Sequence, residues 1–294
     1  MLVNPSIFKQ GQNDEIKPVN LNLDIKFKLR TAIIISAILL ILILYFGMPV
    51  LSYKFAGTYF SIGFILLPLF LVVSARKVIK YIYILMLLLF IAMIISTLPI
   101  IRAKSYRNLI GDIQSTKFTE LLSPVDLTQI PVVDRAFAAM LAEKKLGEDF
   151  ALGSRVTLGW PTRQIVNGEL LWVIPLLHSG FFKWLTNLDG TPAYLVVSAT
   201  NPQDVRFVNN VNGNNVRIKY QPNAYFHHNL HRHLYLHGYV FRGLTEYSFE
   251  LDDEGTPYWT ATVYNKNVGF NGNDAVGVAL VKTDTGEITY YPKD

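Results

Sequence analysis

The sequence predicts a membrane-anchored α+β protein, in which three transmembrane helices precede a domain of two helix-plus-antiparallel-sheet units. Three runs without a charged residue, Thr31–Tyr53, Phe55–Ala75 and Tyr81–Ile101, are 23, 21 and 21 residues long. A helix of about 20 residues crosses the hydrocarbon core of a bilayer. Short strand-like segments begin near residue 151, and one turn motif occurs twice among them. These observations predict three membrane spans at residues 31–53, 55–75 and 81–101.

The charge is divided unevenly between the two parts of the chain. Residues 1–102 carry ten Lys/Arg and three Asp/Glu, a formal charge of +7, whereas residues 103–294 carry seventeen and nineteen, a formal charge of −2. Nucleic-acid binding needs a basic face on the folded domain, so this division argues against it. There is no cysteine, which excludes disulfides, thiolate catalysis and cysteine-ligated metals.

Basic residues beside the runs set the expected orientation. Residues 1–30 read as a flexible cytoplasmic tail. With that tail inside, six basic residues near the spans face the cytoplasm: Lys26, Lys28, Arg30, Arg76, Lys77 and Lys80. Four face outside: Lys54, Arg102, Lys104 and Arg107. The positive-inside rule then favours a multi-pass cell-membrane protein with a cytoplasmic N-terminus and an extracytoplasmic C-terminal domain.

The runs contain no Asp, Glu, His, Lys or Arg. Proton relays and ion paths usually need such residues inside the membrane, so an anchor is favoured over a transporter. Pro49, Pro68 and Pro99 are interpreted as tolerated kinks and helix ends. A hydrophobic pore formed by a homo-oligomer stays open as an alternative.

After the runs, residues 102–130 are expected to form a linker with a helix over Ser105–Leu122. Residues 131–210 form the first α+β unit. Its helix is predicted over Val132–Leu146, with an apolar face made by Val133, Phe137, Met140 and Leu141, and with Gly147 as the residue just past its end. The strands predicted for this unit are Arg155–Leu158, Glu169–Leu177, Ala193–Ala199 and Val205–Val208.

Residues 211–294 form the second α+β unit. A helix is predicted over Tyr225–Leu236, followed by the strands Glu246–Leu251, Tyr258–Tyr264, Val276–Lys282 and Ile288–Tyr291. The turn Asp189–Pro192 of the first unit matches the turn Glu254–Pro257 here, and each leads into a strand. An acidic residue followed by Gly-Thr-Pro suits a tight turn that returns to an extended chain. The repeat predicts that the two units are related.

The segment Val278–Ile288, an apolar strand that runs into Asp284-Thr285-Gly286-Glu287, resembles the closing hairpin of PepSY-type domains. Residues Gly190–Val197 of the first unit are similar in style but lack the Thr-Gly-Glu turn. The whole chain resembles uncharacterised bacterial multi-span membrane proteins that carry such a domain. The resemblance implies a small PepSY/cystatin-like extracytoplasmic module that takes part in binding, inhibition or regulation.

Five of the six histidines fall between positions 227 and 237. His227 and His231, and likewise His233 and His237, are spaced i,i+4 as on a metal-binding helix. No HExxH motif and no acid lies among them, and Arg232 opposes a cation. The favoured interpretation is a structural or solvated face, and the four histidines remain weak metal candidates. A pH-responsive surface is a further alternative.

Other catalytic signatures are missing from the sequence. Ser179 follows His178 without a G-x-S-x-G elbow, and there is no phosphate-binding loop. We therefore expect a non-enzymatic protein without a cofactor, whose partners are the lipid bilayer and another protein, as a sensor, regulator or structural subunit. The alternatives are a subunit of an envelope secretion or conjugation assembly, and a His-cluster metal-binding protein or metalloenzyme.

Overall fold

The structure, a computed structural model, describes residues 29–72, 75–111 and 130–293. The predicted tail and most of the predicted linker helix lie outside the described residues. Apolar helices come first, and a domain of helices and antiparallel sheets follows, so the mixed class predicted from the sequence is confirmed. The helices before the domain are α1 (Leu29–Leu42, continued by a π-helical turn Ile43–Gly47), α2 (Ala56–Phe70), α3 (Arg76–Thr97) and α4 (Pro99–Ile110).

Two of these helices are long and apolar enough to cross a membrane, Leu29–Gly47 with 19 residues and Arg76–Thr97 with 22. Helix α2 is apolar but has only 15 residues. The predicted spans differ from the helices at their ends. The first helix stops at Gly47, because Met48 has a φ of 44° and Pro49 follows. The third begins at Arg76 and ends at Thr97, because Leu98 is extended before Pro99.

The first sheet of the domain has five strands in the order β1-β3-β4-β5, with β2 also paired to β3. The strands are β1 (Val156–Leu158), β2 (Thr162–Val166), β3 (Glu169–His178), β4 (Tyr194–Ser198) and β5 (Val205–Val208). All pairs are antiparallel. The sequence patterns predicted β1, β3, β4 and β5 but not β2, nor the short helix α7 (Phe181–Leu185) that follows β3.

One face of this sheet is covered by α5 (Arg135–Gly147), which is followed by a short turn of helix, α6 (Phe150–Gly153). Ala138, Ala142 and Leu146 of α5 pack on Ile174 and Leu195. The predicted apolar face was therefore wrong in part, because Phe137 and Met140 are exposed. Small alanines let the helix approach the sheet closely. Gly147 is the last residue of the helix and not the one beyond it.

The second sheet is an antiparallel meander in the order β11-β10-β9-β8. Its strands are β8 (Gly243–Leu251), β9 (Pro257–Val268), β10 (Asn271–Lys282) and β11 (Ile288–Pro292). Alternate residues of β9, Trp259, Ala261 and Val263, are buried against the first sheet, as the period of two along a strand requires. The two predicted units therefore share one core. A small hairpin, β6 (Asn210–Val211) and β7 (Asn214–Asn215), joins them.

The predicted helix Tyr225–Leu236 is broken into three pieces. They are a 3₁₀ turn Phe226–His228, helix α8 (Leu230–Leu234) and a π-helical turn Tyr235–Tyr239. Asn229 is extended and caps α8, since its side chain accepts a hydrogen bond from the Arg232 amide. Leu230 and Leu234 are fully buried in the core between the sheets.

Candidate functional site

The four candidate histidines lie on this broken segment and do not converge. No group of three or more metal-ligating side chains occurs in the described residues. The ring of His227 lies against His228, and that of His233 lies against His237. The predicted i,i+4 neighbours His233 and His237 are therefore brought together, whereas His227 contacts His228 and not His231, because Asn229 interrupts the helix between them.

Three of the candidates are already hydrogen-bonded within the protein. His231 Nδ1 bonds the Tyr247 hydroxyl. His233 Nε2 lies 2.7 Å from the Gly286 carbonyl, and His237 Nδ1 lies 2.7 Å from the His233 carbonyl. Burial lowers the pKa of both His231 and His233, and Arg232 lowers that of His231 further. His231 and His233 tie the segment to the second sheet, and His237 bonds within the segment itself.

Arg232, which lies between them in the sequence, joins the domain to the end of α1. Its Nε donates a 2.8 Å hydrogen bond to the Tyr45 carbonyl, and its Nη1 donates a 2.7 Å bond to the Phe226 carbonyl. The guanidinium also stacks on the Tyr45 ring at 4.7 Å. Only 9% of Arg232 is exposed. A buried guanidinium needs such partners, so the contact is specific.

The chain between α1 and α2 is held by the same part of the domain. The Tyr235 hydroxyl donates to the Pro49 carbonyl at 2.8 Å, and the Leu51 amide donates to the Val240 carbonyl at 2.8 Å. Together with Arg232, these bonds form what we call the α1 contact.

A second attachment, which we call the hairpin contact, joins the β9–β10 hairpin to the end of α3. The Phe270 amide donates to Thr97 Oγ1 at 2.9 Å. The Phe270 ring packs at 5.1 Å from Phe90 and at 5.8 Å from Tyr59. Gly269 lies so close to α3 that a Cβ there would be 2.8 Å from the Met93 carbonyl oxygen. The domain is thus attached to the apolar helices at two separate places.

A cleft of about 790 Å³ opens elsewhere on the domain, beside a break in the edge of the first sheet. Pro175 in β3 has no amide hydrogen to give to the edge strand, and Gly159 opposite it donates to the Pro175 carbonyl at 2.8 Å. A Cβ at Gly159 would lie 2.6 Å from the Pro175 ring. The edge therefore divides into β1 and β2. Gly159, Trp160 and Pro161 lie between the two strands, and Trp160 is 71% exposed.

Two arginines stack on indole rings in this Trp160 cleft. The Arg135 guanidinium carbon lies 5.2 Å from the centre of the Trp160 ring and 5.8 Å from that of Trp172, and the Arg163 carbon lies 5.9 Å from Trp172. No carboxylate of the described residues forms an ion pair with either arginine. Their outward N–H groups are available to a ligand.

Other residues that line the cleft supply acceptors. Ser248 donates a hydrogen bond to the Glu250 carboxylate, and both residues line the cleft. Asp134 caps α5 by accepting from the Phe137 amide at 2.7 Å. The cleft therefore offers an exposed aromatic face with hydrogen-bonding groups of both kinds, which is the composition of a binding site.

A buried polar group connects the His segment to the first sheet. Gln221 is fully buried; its Oε1 accepts from the His178 amide at 2.8 Å and its Nε2 donates to the Ile218 carbonyl at 2.6 Å. His178 and His228 are buried beside it, and burial lowers the pKa of each to about 4. Both are therefore neutral imidazoles at pH 7. Ser179, next to His178, donates to the Arg155 carbonyl and does not contact a histidine base.

Comparison with known proteins gives no relative. No family model, no curated protein and no solved structure is significantly similar to the chain. The resemblance to PepSY-type domains therefore depends on the turn motifs alone and stays a prediction.

Sequence reasoning missed Arg232, Phe270 and Trp160 as interacting residues. The segment around Arg232 was distinctive for its histidines, and Arg232 itself was read only as an obstacle to a cation. Gly159-Trp160-Pro161 lies between the predicted strands Arg155–Leu158 and Glu169–Leu177, and its residues predict no contact. The pairing of Gly159 with Pro175 follows only from the tertiary fold, which makes the two segments neighbours.

Proposed function

We propose that this chain is a non-enzymatic integral membrane protein with three spans and a cytoplasmic N-terminus, whose extracytoplasmic domain binds a partner as a sensor or regulator. The double attachment of the domain to the apolar helices carries the proposal. A domain that is only tethered needs a linker, whereas this one buries Arg232 against α1 and inserts Gly269 against α3. Binding on the domain can therefore bias the arrangement of the spans.

The apolar helices support the three-span part of the proposal. Helix α2 is only about 22 Å long, since each of its 15 residues contributes a rise of about 1.5 Å. It contacts both α1 and α3, and Tyr83 of α3 donates to the Gly63 carbonyl of α2 at 2.6 Å. Flanking residues and a slightly thinned bilayer accommodate a short span at modest cost.

The Trp160 cleft is the proposed partner site. An exposed tryptophan with adjacent arginines is the composition that dominates binding energy at protein interfaces. The cleft also includes Ser248 and Glu250 of β8, which pairs with β9. Strand β9 leads to the hairpin contact on α3. A ligand in the cleft thus touches the sheet that is attached to the helices.

Photo-crosslinking in living cells tests this function. A benzoylphenylalanine at Trp160 should capture one partner, and the same probe at Ile165, an exposed apolar residue of β2 that does not line the cleft, should not. Arg163→Ala should weaken capture by the Trp160 probe. Equal capture from both positions, or from neither, would contradict the proposal.

A subunit of an envelope assembly is the second candidate, favoured by an apolar groove of about 700 Å³ between α2 and α3. Phe60, Phe64, Leu67 and Phe90 line it. Native electrophoresis of the protein in mild detergent distinguishes the candidates. A discrete large complex would favour assembly through the groove, and a lone monomer would count against it.

A further inference from the structure

Five aromatic side chains form a patch next to the α1 contact. They come from α7 and from the start of the His segment: Phe181, Phe182, Trp184, Tyr225 and Phe226. The Phe181 ring centre lies 5.1 Å from that of Tyr225, and the Trp184 ring lies 5.7 Å from that of Phe226. The Phe182 ring packs edge-on against Phe181 at 5.5 Å and is 78% exposed, and Leu185 and Leu188 on the same segment are also exposed. We call this surface the α7 patch.

The position of the patch relative to α1 follows from Arg232. One guanidinium binds both the Tyr45 carbonyl and the Phe226 carbonyl, so these two oxygens lie within about 8 Å of each other. Tyr45 belongs to the last turn of the first candidate span, Leu29–Gly47. The end of a span lies at the level of the lipid headgroups, where aromatic residues are enriched. Phe226 and the rings packed on it therefore lie at that level.

The charge around the patch suits a phospholipid surface. No acidic residue occurs from Ser179 to Leu188 or from Pro222 to Val240, Lys183 lies within α7, and the first acid after the patch is the exposed Asp189. The rest of the domain is rich in acids, with nineteen Asp and Glu in residues 103–294. An aromatic surface that carries Lys183 within it and a single acid, Asp189, at its border can enter the headgroup region with little repulsion of anionic lipids.

We propose that the α7 patch is a lipid-binding surface, in which Phe182 and Leu185 enter the boundary between headgroups and acyl chains beside α1. The patch gives the domain a third attachment to the bilayer that involves no span. This inference depends on the proposed membrane insertion of α1, but it is independent of the Trp160 cleft and its partner.

The absence of cysteine makes a direct test practical. Single cysteines are introduced as Phe182→Cys and Leu188→Cys, with Ile41→Cys as the lipid reference in α1 and Asn201→Cys as the water reference in an exposed polar turn. Each protein is spin-labelled and placed in nanodiscs that contain anionic lipid. Collision with lipid-soluble oxygen is then compared with collision with a water-soluble nickel complex.

We expect an oxygen preference at position 182 or 188 close to that at position 41. The Leu188 label leaves Phe182 in place, so the test does not depend on removing the main apolar side chain. If the labels at positions 182 and 188 show the same preference for the nickel complex as the label at position 201, while the label at position 41 prefers oxygen, the lipid-binding proposal is wrong and the membrane anchor stands. If Ile41 also matches Asn201, the proposed span fails and the patch proposal fails with it.

Discussion

The Nε of Arg232 lies 2.8 Å from the backbone carbonyl oxygen of Tyr45, although 187 positions separate the two residues in the sequence. This bond joins the folded domain to the end of the first apolar helix. The guanidinium is almost fully buried and also binds Phe226. It therefore acts as a bridge between the domain and the helix. Its removal should weaken the attachment before it weakens the hydrophobic core of the domain.

Arg232→Met should open the α1 contact, because it removes two hydrogen bonds from a charged group and keeps most of the side-chain volume. We expect the local opening free energy of residues 226–240 to fall by about 2–3 kcal/mol. Hydrogen exchange of the protein in nanodiscs measures this change. Arg206→Met is the matched control, since Arg206 forms exposed ion pairs with Glu169 and Asp204. Equal loss of protection in both variants would count against a specific bridge.

Gly269→Ala should separate the β9–β10 hairpin from α3. The φ of Gly269 is 54°, and an added Cβ would meet Thr97 and Met93. We expect the left-handed backbone to destabilise the folded protein by about 1–2 kcal/mol, and overpacking to destabilise it by about 1–3 kcal/mol more. Gly213→Ala controls for the backbone term, because Gly213 has a φ of 83° and open space around its Cα. Thermal unfolding that is the same for both variants would contradict the hairpin contact.

The stability of the domain should rise as the pH is raised from about 4 to 6.5. Burial lowers the pKa of His178 and His228 to about 4, so the unfolded chain binds more protons than the folded chain across this interval. Denaturant unfolding at several pH values measures the slope of the unfolding free energy against pH. The slope should shrink in His178→Phe and shrink again when His228→Phe is added. An unchanged slope in the double variant would mean that other groups cause it.

Addition of zinc should leave the thermal stability unchanged, because the described residues hold no group of three or more side chains that could bind the metal, and His227, His231 and His233 do not converge. Metal analysis of the purified protein, with His231→Ala and His233→Ala as comparisons, checks this expectation. Stoichiometric zinc that is lost in both variants would instead establish the His segment as a metal site.

The sequence predicted the elements whose patterns are local. Apolar length located α1 and α3, and strand periodicity with turn residues located β3, β5 and β9. The predicted face of α5 was right for Val133 and Leu141 but wrong for the bulky Phe137 and Met140, because two alanines meet the sheet instead. Helix packing selects side chains that fit the available distance, which a hydrophobicity pattern does not encode.

Long-range relationships were not readable from the sequence. The bond between Arg232 and Tyr45 depends on how the His segment breaks at Asn229 and on where the domain meets α1. The position of Trp160 at the break in the sheet edge depends on the pairing of Gly159 with Pro175. Each depends on two segments that become neighbours through the tertiary fold.

The central claim, a domain fixed on the apolar helices, is tested most directly by a disulfide across the α1 contact. The Leu51 amide lies 2.8 Å from the Val240 carbonyl oxygen, which places the two Cα atoms near the range that a disulfide spans. Leu51→Cys with Val240→Cys should form a disulfide rapidly under mild oxidation in native membranes, and Leu51→Cys with Asn201→Cys should not. Cross-linking of the first pair at or below the level of the second would show that the domain is not fixed there.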